Sequence, residues 1–297
     1  MQQRRSVPAG GSHGGVSTIY RRGEITMEKR QIRMIAFDMD GTVLYDGDEI
    51  SDKLQGILKR AIDQGIYVVP CTGRGLCEMP RTVKALGITH SATANGALIR
   101  DERQDQVLHT NLIPWEMAAE IYHELKKIDA FVTVHIDGLV YFKGDDEQYV
   151  RDLYHLCEYI PVHLTMDAEA LVREKQRDLE KVYARSHTEE EHRQIMEVIS
   201  GRYPLFYSSS AVGNMEFSAL DCSKGTALQW LCDHLGVDPS QVVAFGDGEN
   251  DKEMLRFAGI GVAMGNGNAL CKEAADVVIG TCSEDAVADY LERLLEA

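Results

Sequence analysis

Short apolar runs that end abruptly in acids, glycines and hydroxyls recur along this chain and constrain its fold more than any other feature. The first is Met34-Ile35-Ala36-Phe37, running into Asp38-Met39-Asp40-Gly41-Thr42. A second, Ile66-Tyr67-Val68-Val69-Pro70, runs into Cys71-Thr72-Gly73-Arg74-Gly75. A third, Val242-Val243-Ala244-Phe245, runs into Gly246-Asp247-Gly248-Glu249-Asn250-Asp251. Unalternated runs of this length fit strands buried on both faces of a parallel sheet. Helix-patterned segments between them supply the crossovers that parallel strands need. The clearest follows Ser51, an expected N-cap, with Leu54, Ile57, Leu58, Ala61 and Ile62 on one face and Gly65 as the stop. Open sheets of this kind hold their ligands beyond the carboxyl ends of the strands.

Between residues 112 and 214 the pattern changes. Helices alternate with short strands, including a pair joined at Asp137-Gly138, as in an α+β unit. The expected fold class is therefore α/β, a parallel sheet with helices on both faces and an α+β domain inserted in its middle. The expected domains are 31–111 with 215–297 as a discontinuous core, and 112–214 as the insert. Residues 1–30 stand apart. Residues 1–26 are rich in Gly, Ser and Arg without apolar periodicity, as expected of a disordered or non-native extension. Arg21-Arg22-Gly23-Glu24 can be encoded by a purine-rich run resembling a ribosome-binding site, which predicts a natural start at Met27. N-terminal mass spectrometry checks that.

Composition enters as an exclusion. A net charge of −16 argues against nucleic-acid and anionic-membrane partners, which want clustered Lys and Arg. No apolar run approaches a membrane span. The seven cysteines are odd in number and form no Cys-x-x-Cys, so reduced thiols in a cytoplasmic protein are expected. The histidines form no metal-binding spacing.

The strand ends carry the chemistry. A parallel sheet brings Asp38, Asp40, Thr72, Asp247, Asn250 and Asp251 to one edge, and Lys224 opens the helix after the insert. Paired carboxylates need a cation, and oxygen donors favour Mg²⁺ over zinc. The set forms a phosphoryl-transfer site. Asp38 is the expected nucleophile and Asp40 the acid and base. Mg²⁺ is expected on Asp38, the backbone carbonyl of Asp40 and Asp247. Thr72, the Gly73 N–H and Lys224 bind phosphate oxygens, and Asn250 and Asp251 orient Lys224 or metal-bound water. Singly, each residue has a bland reading: Thr72 as a cap, Lys224 as a solvated charge, Asp247 to Asp251 as a charged first turn. Their joint placement outweighs these.

With Asp38-Met39-Asp40-Gly41-Thr42, Thr72-Gly73-Arg74, Lys224 and Gly246-Asp247-Gly248-Glu249-Asn250-Asp251 in this order, the chain resembles the haloacid dehalogenase superfamily. The branch it is similar to is the Cof-type sugar-phosphate hydrolases, with a large C2-type cap after the third strand. The resemblance spans residues 32 to 297. It implies a Rossmann-like core, Mg²⁺ and hydrolysis of small phosphorylated metabolites through an aspartyl-phosphate. It leaves the substrate, the cap residues that select it and the oligomeric state open. Two other readings use similar parts: a phosphomutase of the same superfamily, and a phospho-Asp signalling module. The signalling module lacks an acid at the position of Asp40. A cysteine phosphatase needs an Arg where Cys77 stands, and a dinucleotide loop fails at Met264 and Leu270.

Overall fold

The computed structural model describes residues 19–20, 31–45, 47–128, 130–154, 158–209 and 213–296. In chain order the core begins with β1 (Ile19–Tyr20), β2 (Met34–Phe37), α1 (Asp52–Asp63), β3 (Tyr67–Pro70), α2 (Arg81–Lys84), β4 (His90–Thr93), β5 (Leu98–Asp101) and β6 (Gln106–Thr110). The insert follows with α3 (Trp115–Lys127), β7 (Phe131–Ile136), β8 (Leu139–Lys143), α4 (Glu147–Tyr154), β9 (His163–Thr165), α5 (Ala168–Lys175), β10 (Lys181–Arg185), α6 (Glu189–Ile199), β11 (Leu205–Ser208) and β12 (Asn214–Ala219). The chain closes with α7 (Lys224–Leu235), β13 (Val242–Gly246), α8 (Lys252–Phe257), β14 (Ile260–Ala263), α9 (Ala269–Ala274), β15 (Val277–Val278) and α10 (Ala286–Glu296).

The core sheet has the order β1-β15-β14-β13-β2-β3, with every pairing parallel except β1 on β15. Successive side chains of β2 go to opposite faces. Ile35 and Phe37 join the core under α1 and α10, while Met34 and Ala36 join the one under α7, α8 and α9. Helix α1 forms as its pattern predicts. Ser51 Oγ accepts from the Leu54 N–H, and Leu54, Ile57, Leu58 and Ala61 are buried. Each fully buried Leu or Ile is worth about 2 kcal/mol. The antiparallel meander β4-β5-β6 abuts β3, where the Thr72 N–H donates to Ala92 O at 2.9 Å.

The second sheet has the order β11-β12-β10-β7-β8-β9, antiparallel except for β8 with β9. Its period-2 alternation sets two different faces. Val132, Val134, Ile136, Val182, Ala184, Met215 and Phe217 pack under α3, α5 and α6. Thr133, His135, Lys181, Tyr183 and Glu216 face the core across a cleft. This sheet with its helices is the cap.

Several expectations shift. The insert was expected to end at 214, the first residue of β12. Because β12 pairs with both β10 and β11, the cap sheet runs through Ala219. After Gly75 the helical run is broken into a single 3₁₀ turn, Leu76–Glu78, and the short α2. Pro80 causes the break, since the residue before proline avoids helical backbone and Met79 is extended at ψ 124°. After Asp40 the Thr42, Val43 and Leu44 N–H groups all converge on Met39 O. Asp46 lies outside the described residues. So does most of the N-terminal extension; within it, Ile19–Tyr20 adds a two-residue strand to the edge of β15. Strand β9 and helix α5 fall in a stretch without a clear sequence pattern.

Candidate active site

The register of the core sheet puts the reactive turns side by side. Phe37 pairs with Phe245 and with Pro70, so the residues after β2, β13 and β3 emerge together. Asp38 is almost fully buried, its N–H donating to Phe245 O at 2.9 Å. Ser223 caps α7 by accepting from the Thr226 N–H, and this sets Lys224 in the first turn. Lys224 Nζ then donates to Asp38 Oδ1 and to Asp251 Oδ1, both at 2.6 Å. Asp251 is held in turn, because its Oδ2 accepts from the Asp247 and Gly248 N–H groups at 2.9 and 2.8 Å. Asp251 therefore bridges Lys224 and the backbone of this turn, and both its oxygens are engaged.

Asp38, Asp247 and Asp251 form a cluster whose ligand atoms lie within 4.8 Å of one another. Burial pushes the Asp38 carboxyl well above the carboxylate range, against the pull of Lys224 and with Asp251 and Asp40 adding to the rise. Burial likewise pushes Asp247 up to about 6. Lys224 loses hydration, which disfavours its charge, but Asp251 and Asp38 outweigh this and hold it protonated. Gly41 is required beside this cluster. It adopts φ +73°, and a Cβ there would stand 2.5 Å from Asp247 Oδ2.

Asp40 departs from the buried pattern. Its side chain is half exposed and is gripped by Arg74, with Nε to Oδ2 at 2.9 Å and Nη2 to Oδ1 at 2.6 Å. Arg74 Nη1 also donates to Asp48 at 2.7 Å. Thr72 is fully buried, and its hydroxyl accepts from the Arg74 N–H at 3.0 Å. Gly73 rather than Thr72 lines the cleft. Asn250 lines it too but does not reach Lys224; its Nδ2 donates to Asn95 Oδ1 at 3.0 Å.

Several residues join the site without having been singled out. Arg74 was legible as part of its motif, though without a role. Asn95 sits in a left-handed turn at φ 57° and donates to Glu216 Oε2 at 2.5 Å. Lys181 on β10 reaches across to Gly73 O at 2.7 Å and to Glu216 at 3.3 Å. These contacts seat the cap face on the turn at Gly73. In sequence, Lys181 and Glu216 look like any polar residues of alternating strands. Cys71 stays out of the chemistry: it is buried, and that burial raises its thiol to about 12. The other cysteines among the described residues are also free thiols. No helix among them is long and apolar enough to cross a membrane.

Comparison with known proteins agrees with this geometry. A family profile described as haloacid dehalogenase-like hydrolase matches residues 35–291. An HMP-PP phosphatase of Serratia proteamaculans is 31% identical, over 89% of this chain and 96% of its own length. A 5-amino-6-(5-phospho-D-ribitylamino)uracil phosphatase of Bacillus subtilis is also 31% identical, over 91% of this chain and 98% of its own. The structure of a haloacid dehalogenase-like hydrolase from B. subtilis superposes with a TM-score of 0.78 at 27% identity, covering 88% of this chain and 99% of that one. The fold, the strand-end acids and the inserted cap lead to one assignment: this chain belongs to the haloacid dehalogenase-like hydrolases, among the Cof-type phosphatases.

Proposed function

We propose that the chain is a Mg²⁺-dependent, cytoplasmic phosphatase that hydrolyses small phosphate monoesters through a phosphoryl group carried on Asp38. The observation that carries this reading is the buried Asp38 at a strand end, held by Lys224 and facing a cleft roofed by the cap. A cation fits the donor set. Three carboxylates within 4.8 Å repel one another, and their oxygens suit a hard divalent ion. Asp38, Asp247 and the Asp40 carbonyl would hold it; Asp251, with both oxygens occupied, serves Lys224 instead. Bound there, Mg²⁺ would neutralise charge on the transferring group.

A carboxylate oxygen of Asp38 attacks phosphorus, and the bond to the ester oxygen breaks. Asp40 gives its proton to that leaving oxygen. Water then attacks the aspartyl-phosphate, passes a proton to Asp40 and frees Asp38 with release of phosphate. Lys224 fixes Asp38 for the attack, and the Gly73 N–H binds a phosphate oxygen, while the buried Thr72 hydroxyl shapes that turn by accepting from the Arg74 N–H. The Arg74 fork holds both Asp40 oxygens, so substrate must loosen it before Asp40 can carry a proton.

The two curated relatives are equally identical to this chain and are named for different substrates, so identity does not choose one here. The test is phosphate release from a panel of phosphorylated metabolites and p-nitrophenyl phosphate, with Mg²⁺ and with EDTA. Release that needs Mg²⁺ is expected. No release from any ester, together with a stable phosphoenzyme, would sink the phosphatase reading in favour of a signalling module. Isomerisation of a sugar phosphate without release would favour a mutase.

A further inference from the structure

The Gly73 N–H is the backbone donor assigned to phosphate above. A glycine does not hold such a donor in place by itself, because its backbone is the least restricted of any residue. Here the two peptide units that flank Gly73 are held from outside. The first carries the Gly73 N–H, and its carbonyl, Thr72 O, accepts from the Asn95 N–H at 2.8 Å. The second begins with Gly73 O, which accepts from Lys181 Nζ of the cap at 2.7 Å. The Ala94 N–H also donates to Arg74 O at 2.8 Å, so the turn between β4 and β5 clamps the turn at 72–74 along its length.

The Asn95 side chain is 1% exposed and uses both ends of its amide at the seam between core and cap. Its Nδ2 donates to Glu216 Oε2 at 2.5 Å, and its Oδ1 accepts from Asn250 Nδ2 at 3.0 Å. Glu216 pairs in turn with Lys181, and both of these side chains are buried. Gly73 lies directly against the group. A Cβ there would stand 3.2 Å from Glu216 Oε2 and 3.3 Å from Asn95 Oδ1. Ala94 and Asn95 are both left-handed, at φ 49° and 57°. That backbone is strained for alanine, and such strain persists only where the surroundings over-determine it. Stability alone is a poor reason for this arrangement. A buried ion pair adds little to it, because lost hydration offsets the attraction. This pair also lies between core and cap, where parting returns both charges to water. Seated and parted arrangements are then close in free energy, and a ligand that favours one of them shifts the balance.

We propose that Asn95 is a positioning residue for phosphate: its backbone aims the Gly73 N–H, and its side chain, through Glu216 and Lys181, ties phosphate affinity to the seated cap. The inference rests on the phosphatase reading and deepens it. It concerns the group common to every ester, so the leaving group does not enter. A carbonyl that accepts a hydrogen bond polarises its peptide and strengthens the N–H of that peptide as a donor. The Asn95 N–H does this for the peptide that carries the Gly73 N–H. By linkage, phosphate at Gly73 favours the seated cap as much as the seated cap favours phosphate.

The test is the dissociation constant of inorganic phosphate with Mg²⁺, read from phosphorus NMR line broadening, beside kcat and KM for p-nitrophenyl phosphate and phenyl phosphate. Asn95→Asp is compatible with left-handed backbone, removes the Nδ2 donor and sets a carboxylate against Glu216. It should weaken phosphate binding about tenfold and raise KM for both esters by the same factor, with kcat changed less than about threefold. An unchanged dissociation constant in the folded variant, or a rise in KM for one ester alone, overturns the inference and leaves the phosphatase intact. Combining Asn95→Asp with Glu216→Gln restores the hydrogen bond with donor and acceptor exchanged and keeps one carboxylate beside Lys181. Phosphate affinity should return to within about threefold of the wild type. A double variant no better than Asn95→Asp removes the pair from the inference. Glu216→Gln alone leaves the left-handed turn untouched, so it reads the cap's part even where Asn95→Asp does not fold. It should weaken phosphate several-fold, and no change overturns the link to the cap. If the wild type binds phosphate yet cleaves neither ester, the phosphatase reading falls, while the effect of Asn95 on phosphate is still read from binding.

Discussion

The two walls of the cleft are built on different principles. On the core side the functional groups sit in turns at strand ends, and backbone hydrogen bonds hold them. Asp38 is tied through its N–H to Phe245 O, and Asp251 is fixed by two backbone N–H groups. On the cap side they project from the face of a sheet. The alternation that buries Val132, Val134 and Ile136 under helices presents Thr133 and His135 to the cleft. A strand-end group cannot change without disturbing the charges that lock it. A face residue can change while the strand beneath keeps its ladder. The core wall should therefore govern whether any ester reacts, and the cap wall which ester reacts.

Substitutions sharpen or break that division. Asp38→Asn should reduce phosphate release from every ester by on the order of 10⁴-fold or more, with the fold retained because Lys224 keeps Asp251. Substantial turnover by this variant would remove Asp38 as nucleophile. Lys224→Met leaves Asp38 and Asp251 buried without their counter-charge. It should cost about 3 kcal/mol in urea unfolding without Mg²⁺ and roughly 10³-fold in kcat. A variant as stable as the wild type would show that the pair is not what holds this end together. Asp40→Asn should slow turnover by roughly 10²-fold and lengthen the life of a phosphoenzyme trapped by acid quench. An unchanged lifetime would move the proton transfer to another residue.

Effects on the cap wall should be smaller and selective. Lys181→Met cuts the bond to Gly73 O, so KM should rise several-fold on the order of a lost charged hydrogen bond, with a lesser change in kcat. A uniform loss in kcat would place Lys181 with the core machinery. The smallest effect concerns pH. His135 is buried neutral beside Lys181, with its pKa depressed in the folded state. Its contribution to stability is present above the unfolded value of about 6.5 and is lost as pH falls below it, with a slope of at most about 1.4 kcal/mol per pH unit. Comparing His135→Gln with the wild type in urea between pH 7.5 and 5.5 isolates that slope. Equal pH dependence in both would mean that His135 has the same proton affinity in the folded and unfolded chain.

The core was legible for a physical reason. Buried parallel strands leave continuous apolar runs, and the turns after them carry short, dense motifs. Asp38, Asp40, Asp247, Asp251 and Lys224 could be read together because each opens or closes a regular element. Thr72 and Asn250 were legible as residues, but their contacts were not. The Thr72 hydroxyl accepts from the Arg74 N–H, and Asn250 meets Asn95 rather than Lys224. The division at 214 was illegible, because β12 joins the cap only through pairing with strands about thirty and ten residues earlier.

By itself the amino-acid sequence determined the parallel core, the inserted cap and the acids gathered at the strand ends, since each follows from local pattern and spacing. Only the tertiary structure decided that Arg74 grips Asp40, that Lys181 and Glu216 meet the turn at Gly73, and that His135 lies on the cleft face beside Thr133. These relations join residues distant in the chain through side-chain directions on a sheet face. Alternation along a strand says that two faces exist; only the packing of helices against one of them says which face is left to meet the substrate.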